Sequence, residues 1–186
     1  NSAGNVIIDG NIDIQGIRVM LYGIYVSLEK KITISNSVAE ITGTQADDTY
    51  SITTTDSELK VDGGKGDDTI ELSANSGQNK ATITGGSGND SLSLNHNGGT
   101  LEATITGGDG ADTIALKAGA GANSEGSSHT ISGGSGDDTV TVDTSFANAS
   151  ARLNLQGGDG TDTLNLTGAL SENDTDAITG TFSQLV

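Results

Sequence analysis

The chain has 186 residues, 25 of them acidic and 8 basic, for a formal charge of −17. Hydrophobic residues make up 32% and aromatics 3%, against roughly 45–50% apolar residues in an ordinary globular domain, so a conventional two-layer core is hard to build. Nucleic acid and anionic membrane surfaces are disfavoured as partners, because both need clustered Lys and Arg.

In chain order, Val6–Ile8, Ile12–Ile14, Ile17–Leu21 and Ile32–Ile34 read as strands. The longest apolar run, Ile17 to Leu28, holds Arg18, Gly23 and Ser27 and is too short for a transmembrane segment. Residues 1–40 are expected to form an N-terminal β cap, a coil outside the main repeat, or an interface segment helped by Tyr22 and Tyr25. A start at Asn1 without a signal peptide reads as a mature product or a piece of something longer.

From residue 41 the chain repeats itself. Val61–Leu72, Ile83–Leu94, Ile105–Leu116, Ile131–Val142 and Leu155–Leu166 superpose without gaps, and Ile41–Ile52 fits the same frame but lacks two glycines. Their first residues are 20, 22, 22, 26 and 24 positions apart. Before each turn stand Val61, Ile83, Ile105, Ile131 and Leu155, and two residues earlier Leu59, Ala81, Ala103, His129 and Leu153. After each turn come Ile70, Leu92, Ile114, Val140 and Leu164, then Leu72, Leu94, Leu116, Val142 and Leu166. Period-two spacing puts these on one face of short strands. Each unit is thus strand, glycine turn, strand and a looser return: Ser73–Lys80, Asn95–Glu102, Lys117–Ser128 and Asp143–Ser150.

One unit cannot bury its apolar face, but stacked units can. The expected fold is all-β: a parallel β-roll or β-solenoid over 41–186, with Thr69, Ser91, Thr113, Thr139 and Thr163 as an outward hydroxyl ladder. An antiparallel sandwich of hairpins is the competing architecture, disfavoured by the identical spacing in every unit. Ile178–Thr181 restarts the repeat, as a closing coil or a truncated one. His96, between Asn95 and Asn97, is expected to be solvated in its loop, and His129 to be packed in an inward row. No pair of carboxylates in the return loops is spaced for acid–base work, so no enzyme is expected.

The turns carry the chemistry. Glycines allow the backbone to curl and aim carbonyls at one point, and an aspartate two residues after the last glycine adds charge. Two stacked turns can offer a cation four carbonyls and two carboxylates, an oxygen shell that suits calcium and not zinc. Low hydrophobicity with high charge otherwise approaches the signature of disorder, so folding is expected to depend on the metal. Asp67 and Asp137, one residue before the aspartate column, are expected to point outward.

The pattern Gly63-Gly64-Lys65-Gly66-Asp67-Asp68 and its copies resemble the glycine-rich nonapeptide of RTX proteins, the calcium-binding β-rolls of type I-secreted bacterial proteins. The resemblance covers residues 41–166. It implies that one turn gives its first and third carbonyls and its aspartate, and the next turn its second and fourth carbonyls and its aspartate. Gly63, Lys65 and Asp68 would then share an ion with Gly86, Gly88 and Asp90. Gly85, Ser87 and Asp90 would share the next with Gly108, Gly110 and Asp112. Gly107, Asp109 and Asp112 would meet Gly134, Gly136 and Asp138, and Gly133, Ser135 and Asp138 would meet Gly158, Gly160 and Asp162. That makes four calcium ions. A fifth would need Gly43, Gln45 and Asp48 with Gly64, Gly66 and Asp68.

RTX repeats run in tandem, whereas here the turn comes once per coil, so metal is expected on one edge and wider, metal-free loops on the other. This sparse spacing resembles surface-layer proteins and large adhesins. It implies a non-enzymatic, extracellular structural domain that associates with itself or with other domains of its own protein. The alternative is a calcium-dependent secretion and folding module of a type I-secreted exoenzyme or toxin.

Overall fold

The computed structural model describes residues 12–15, 18–22, 30–122, 126–143, 152–167 and 178–185. Val6–Ile8 therefore lies outside the described residues. The chain winds back and forth between two parallel stacks. The first contains β1 (Ile12–Gln15), β3 (Lys30–Ser35), β5 (Thr49–Thr55), β7 (Thr69–Ala74) and the first half of β9 (Ser91–Asp109). It continues through β10 (Thr113–Ala122), β12 (Thr139–Asp143), β14 (Thr163–Thr167) and β16 (Gln184–Leu185). The second contains β2 (Arg18–Tyr22), β4 (Val38–Thr42), β6 (Glu58–Lys65), β8 (Gln78–Ser87) and the second half of β9. It ends with β11 (Ser128–Ser135), β13 (Arg152–Asp159) and β15 (Ile178–Thr181).

Every pairing among the described strands is parallel, which removes the hairpin sandwich and leaves a β-solenoid. The register follows the sequence repeat residue for residue. Ile41 pairs with Val61, then Ile83, Ile105, Ile131 and Leu155 follow in one column. Ile70, Leu92, Ile114, Val140 and Leu164 form the facing column. Strict alternation of buried and exposed residues in β6 and β8 turns these columns into the core, and each fully buried Leu, Ile or Val contributes roughly 1.5–3 kcal/mol. Two stacks of such columns replace the large side chains the composition lacks.

The stack extends beyond residues 41–166. Ile12 pairs with Ile32 and Leu21 with Ile41, so β1 and β2 continue the two sheets with the same parallel pairing. At the other end Ile178 pairs with Leu153 and Gly180 with Leu155. The repeat does restart there, but two residues away from the frame its Ile-Thr-Gly suggested. A shift of two keeps the same face inward, whereas a shift of one would not.

The returns are tighter than expected. β7 ends at Ala74 and β8 begins at Gln78, and residues 95–102 lie within the continuous strand β9, bent at Gly99 with φ +71°. Lys117–Ser128 is mostly strand as well, through β10 and the start of β11. Much of Asp143–Ser150 lies outside the described residues. The reason is ladder pairing, since Ser73–Asn95–Lys117 and Ala74–His96–Ala118 stack in register and satisfy one another's backbone. His96 is accordingly not solvated. It is buried, with Nε2 2.9 Å from the Gly99 carbonyl, and its ring stands edge-on to His129 with centroids 5.9 Å apart.

This corner also has a polar ladder of its own. The Ser57 hydroxyl accepts from Ser37 N–H at 3.3 Å, Asn79 Oδ1 from Ser57 N–H at 3.3 Å, and the Ser127 hydroxyl from Leu101 N–H at 3.1 Å. Instead of wide loops, the second edge of the coils has narrow bends with buried side-chain caps. Among the described residues no helix is long and apolar enough to cross a membrane.

Candidate metal-binding edge

The six turn aspartates, Asp48, Asp68, Asp90, Asp112, Asp138 and Asp162, stand in a column and are each at most 2% exposed. Ionised carboxylates are almost never buried to that degree without a partner. One oxygen of each is accounted for. Oδ1 of Asp68 accepts from Asp48 N–H at 2.7 Å, and that of Asp90 from Asp68 N–H at 2.7 Å. Asp112, Asp138 and Asp162 repeat the contact with the aspartate one coil earlier, at 2.8, 2.8 and 3.0 Å. Each carboxylate from Asp68 to Asp162 thus staples its coil to the one before it.

In all but Asp162 the other oxygen is an orphan. Oδ2 of Asp68, Asp90, Asp112 and Asp138 is buried with no hydrogen-bond partner. Each points at the first glycine of its own turn, where the carbonyl of the following turn's first glycine also arrives. At Gly85, for example, an added methyl would overlap both Asp90 Oδ2 and the Gly107 carbonyl oxygen. Absence of a Cβ leaves a cradle lined by a carboxylate oxygen and a carbonyl oxygen. The next residue is glycine for another reason: Gly86 has φ +122°, and a side chain there would meet the Gly64 carbonyl.

A buried unsatisfied carboxylate oxygen calls for a physical explanation, and an ion is one. Burial pushes Asp68 up to about 7, helped by Asp90, Asp48 and Asp47 and opposed by the Asp48 N–H bond. Burial likewise raises Asp112 to about 6, and it raises Asp90 and Asp138. Left without a cation, these groups take up protons more readily than a free aspartate; a cation in the cradle would keep them ionised.

The carbonyls expected as ligands divide into two sets. Those of Ser87, Asp109 and Ser135 accept amides from Gly66, Gly88 and Gly110 of the preceding turn, at 2.9, 2.8 and 2.8 Å, and the Asp159 carbonyl, outside the expected set, takes the Gly136 amide at 2.7 Å. They keep one lone pair each. Those of Gly64, Gly86, Gly88, Gly108 and Gly110 abut the positive-φ glycines of the next turn. The carbonyl that shares a cradle with Asp68 Oδ2 belongs to Gly85, the first residue of the later turn and not its second or fourth. Among the described residues no three acidic, histidine or cysteine side chains converge on one point. Any ion held here would rest mainly on backbone oxygens with single carboxylates, a donor set that fits calcium and not zinc.

The degenerate turn differs in a telling way. Thr44, in place of a glycine, donates its N–H and hydroxyl to Asp48 Oδ2 at 2.7 and 2.9 Å. That oxygen is therefore spoken for, and Asp48 Oδ1 is the buried one without a partner. Lys65 N–H donates to the Thr44 carbonyl at 3.1 Å, so the turn of Gly43 and Gln45 still stacks on its neighbour. Close by, the Tyr50 hydroxyl is buried without a hydrogen-bond partner, and burial, Asp48 and Asp68 all raise its pKa.

Asp67 and Asp137 do point outward, yet both are used. Asp67 Oδ1 accepts from Asn89 N–H at 2.7 Å, Asn89 Oδ1 from Ala111 N–H at 2.8 Å, and Asp137 Oδ1 from Thr161 N–H at 2.8 Å. This outer ladder runs toward later coils, opposite in sense to the inner one. The signal for it was present in the recurrence of Asp and Asn at that position. The Ser and Asn caps of the other edge could have been found by continuing the inward row two residues upstream, to Ser37, Ser57, Asn79 and Ser127. Compared with known proteins, the chain matches no family model, no curated protein and no solved structure.

Proposed function

We propose that the glycine-turn edge binds a row of about four calcium ions and that the chain is a non-enzymatic structural part of a secreted bacterial surface protein. The observation that carries the metal reading is the column of buried Oδ2 atoms, each without a partner and each beside a carbonyl of the next turn. The ions would lie between successive turns from Asp68 to Asp162. The fifth position is the poorest, because Thr44 already satisfies Asp48 Oδ2. Calcium would supply charge that the −17 chain lacks, and because the cradles form only when coils stack, binding free energy becomes folding free energy. The surface-layer or adhesin role rests on the RTX-like turns and on their spacing of one per coil.

Circular dichroism in chelator and then in millimolar calcium tests the metal half. The expected outcome is a largely disordered chain that gains β-structure on adding calcium, with about four ions by calorimetry. A spectrum indifferent to chelation, with no metal retained, would overturn it. Electron microscopy of the intact parent protein tests the other half, through assembly that appears only with calcium.

A further inference from the structure

The edge opposite the turns carries a feature the calcium reading does not use. A groove of about 750 Å³ runs along it, from Asn36 to Gly126. It crosses five successive coils, a length of about 19 Å at the usual strand spacing. Its floor is the Ser37–Ser57–Asn79 ladder, whose polar atoms are committed to the adjacent coil or to their own bend, as Asn79 Nδ2 is to the Ser76 carbonyl. One wall is the bend row Asn36, Asp56, Gln78 and Thr100. The other is the first outward row of the second sheet, Val38, Glu58, Lys80 and Glu102, held in register by β4, β6, β8 and β9.

The shape suits a linear chain lying along the solenoid axis, and the volume falls within the range of ligand sites. Chemistry narrows the class. Three carboxylates against one ammonium repel polyanions, which removes nucleic acid and anionic lipid. An extended peptide binds such scaffolds by adding a strand to a sheet edge, but this groove crosses strands that are already paired on both sides. Apolar pockets for peptide side chains are missing too, Val38 being the one large exposed hydrophobic residue among those described. What the walls do offer is amides, carboxylates, a hydroxyl and an ammonium, donors and acceptors suited to hydroxyl groups. We propose that this groove binds a neutral, linear oligosaccharide along the solenoid axis, recognised by the Asn36–Thr100 and Glu58–Glu102 rows.

The groove and the calcium row lie on separate edges, so folded protein that binds no sugar would overturn this proposal and leave the calcium reading standing. The experiment titrates calcium-loaded protein with neutral cello-, malto- and chito-oligosaccharides, following amide shifts by NMR and heat by calorimetry. One series is expected to bind, more tightly with increasing chain length, with shifts confined to the groove rows. Gln78→Ala and Glu102→Ala, both at exposed side chains, are each expected to weaken binding about fivefold, the worth of one hydrogen bond. Ser93→Ala, on the outer face of the other sheet, is expected to leave it unchanged. Absence of binding by every series, binding that ignores the groove substitutions, or tighter binding of a lysine-rich peptide would each overturn the proposal.

Discussion

At Asp112 two demands meet in one carboxylate. Oδ1 accepts the buried N–H of Asp90, while Oδ2 sits unpartnered beside Gly107 and the Gly133 carbonyl. The two roles can be separated by substitution. Asp112→Asn keeps an oxygen for Asp90 N–H and removes the buried charge. In calcium it is expected to melt lower than the parent and to bind fewer ions. Asp112→Ala orphans the Asp90 N–H as well, at a cost of about 1–3 kcal/mol, and is expected to melt lower than Asp112→Asn in calcium. A loss of ions is also expected to be larger for Asp112→Ala than for Asp162→Ala, because a middle turn faces neighbours on both sides; equal losses by calorimetry would refute the stacking of ions between turns. Tyr50 makes the converse case. Its buried hydroxyl has no partner in a column otherwise filled by Ile70 and Leu92. Tyr50→Phe is therefore expected to raise the melting temperature, by about 1 kcal/mol of stability or more.

Strand and turn differ in how much substitution they tolerate. On the outer face of β8, Thr82 is half-buried in register with Lys60 and Thr104, so Thr82→Ala is expected to change stability by about 0.5 kcal/mol or less. At Gly86 a methyl would face both a φ of +122° and the Gly64 carbonyl. Gly86→Ala is expected to cost at least about 3 kcal/mol, read as a lower urea midpoint in calcium. These elements were legible because their signals are local. Alternation marked the inward rows, and the glycine frame fixed the register down to the pair. The return segments were misjudged for the same reason. Ser, Asn and Gly read locally as loop, yet residues 95–102 are strand because neighbouring coils supply the other half of every hydrogen bond.

For the molecule as a whole, charge and burial set the response to pH. Burial lowers His129 to about 3, with His96 adding to the shift, and His96 itself is lowered. A histidine whose folded pKa lies below its unfolded value near 6.5 gives stability that is present above pH 6.5 and lost as pH falls, because the unfolded chain then binds more protons. In millimolar calcium, the stability of His129→Leu relative to the parent is expected to rise steadily between pH 7 and pH 4; a constant difference in urea unfolding would show that the imidazole is not desolvated as described. The turn aspartates, raised instead of lowered, act in the opposite direction over that range, which is why the substitution is needed to isolate the histidine. By itself the sequence determined the two-stack solenoid, its register and the column of turn aspartates, since period-two alternation and a recurring glycine frame survive in any one coil. Only the tertiary structure decided where the second oxygen of each aspartate comes to rest, that His96 turns inward, and that the shorter bends leave a groove. Each of those depends on what the adjacent coil places a strand's width away, and a linear repeat does not carry that information.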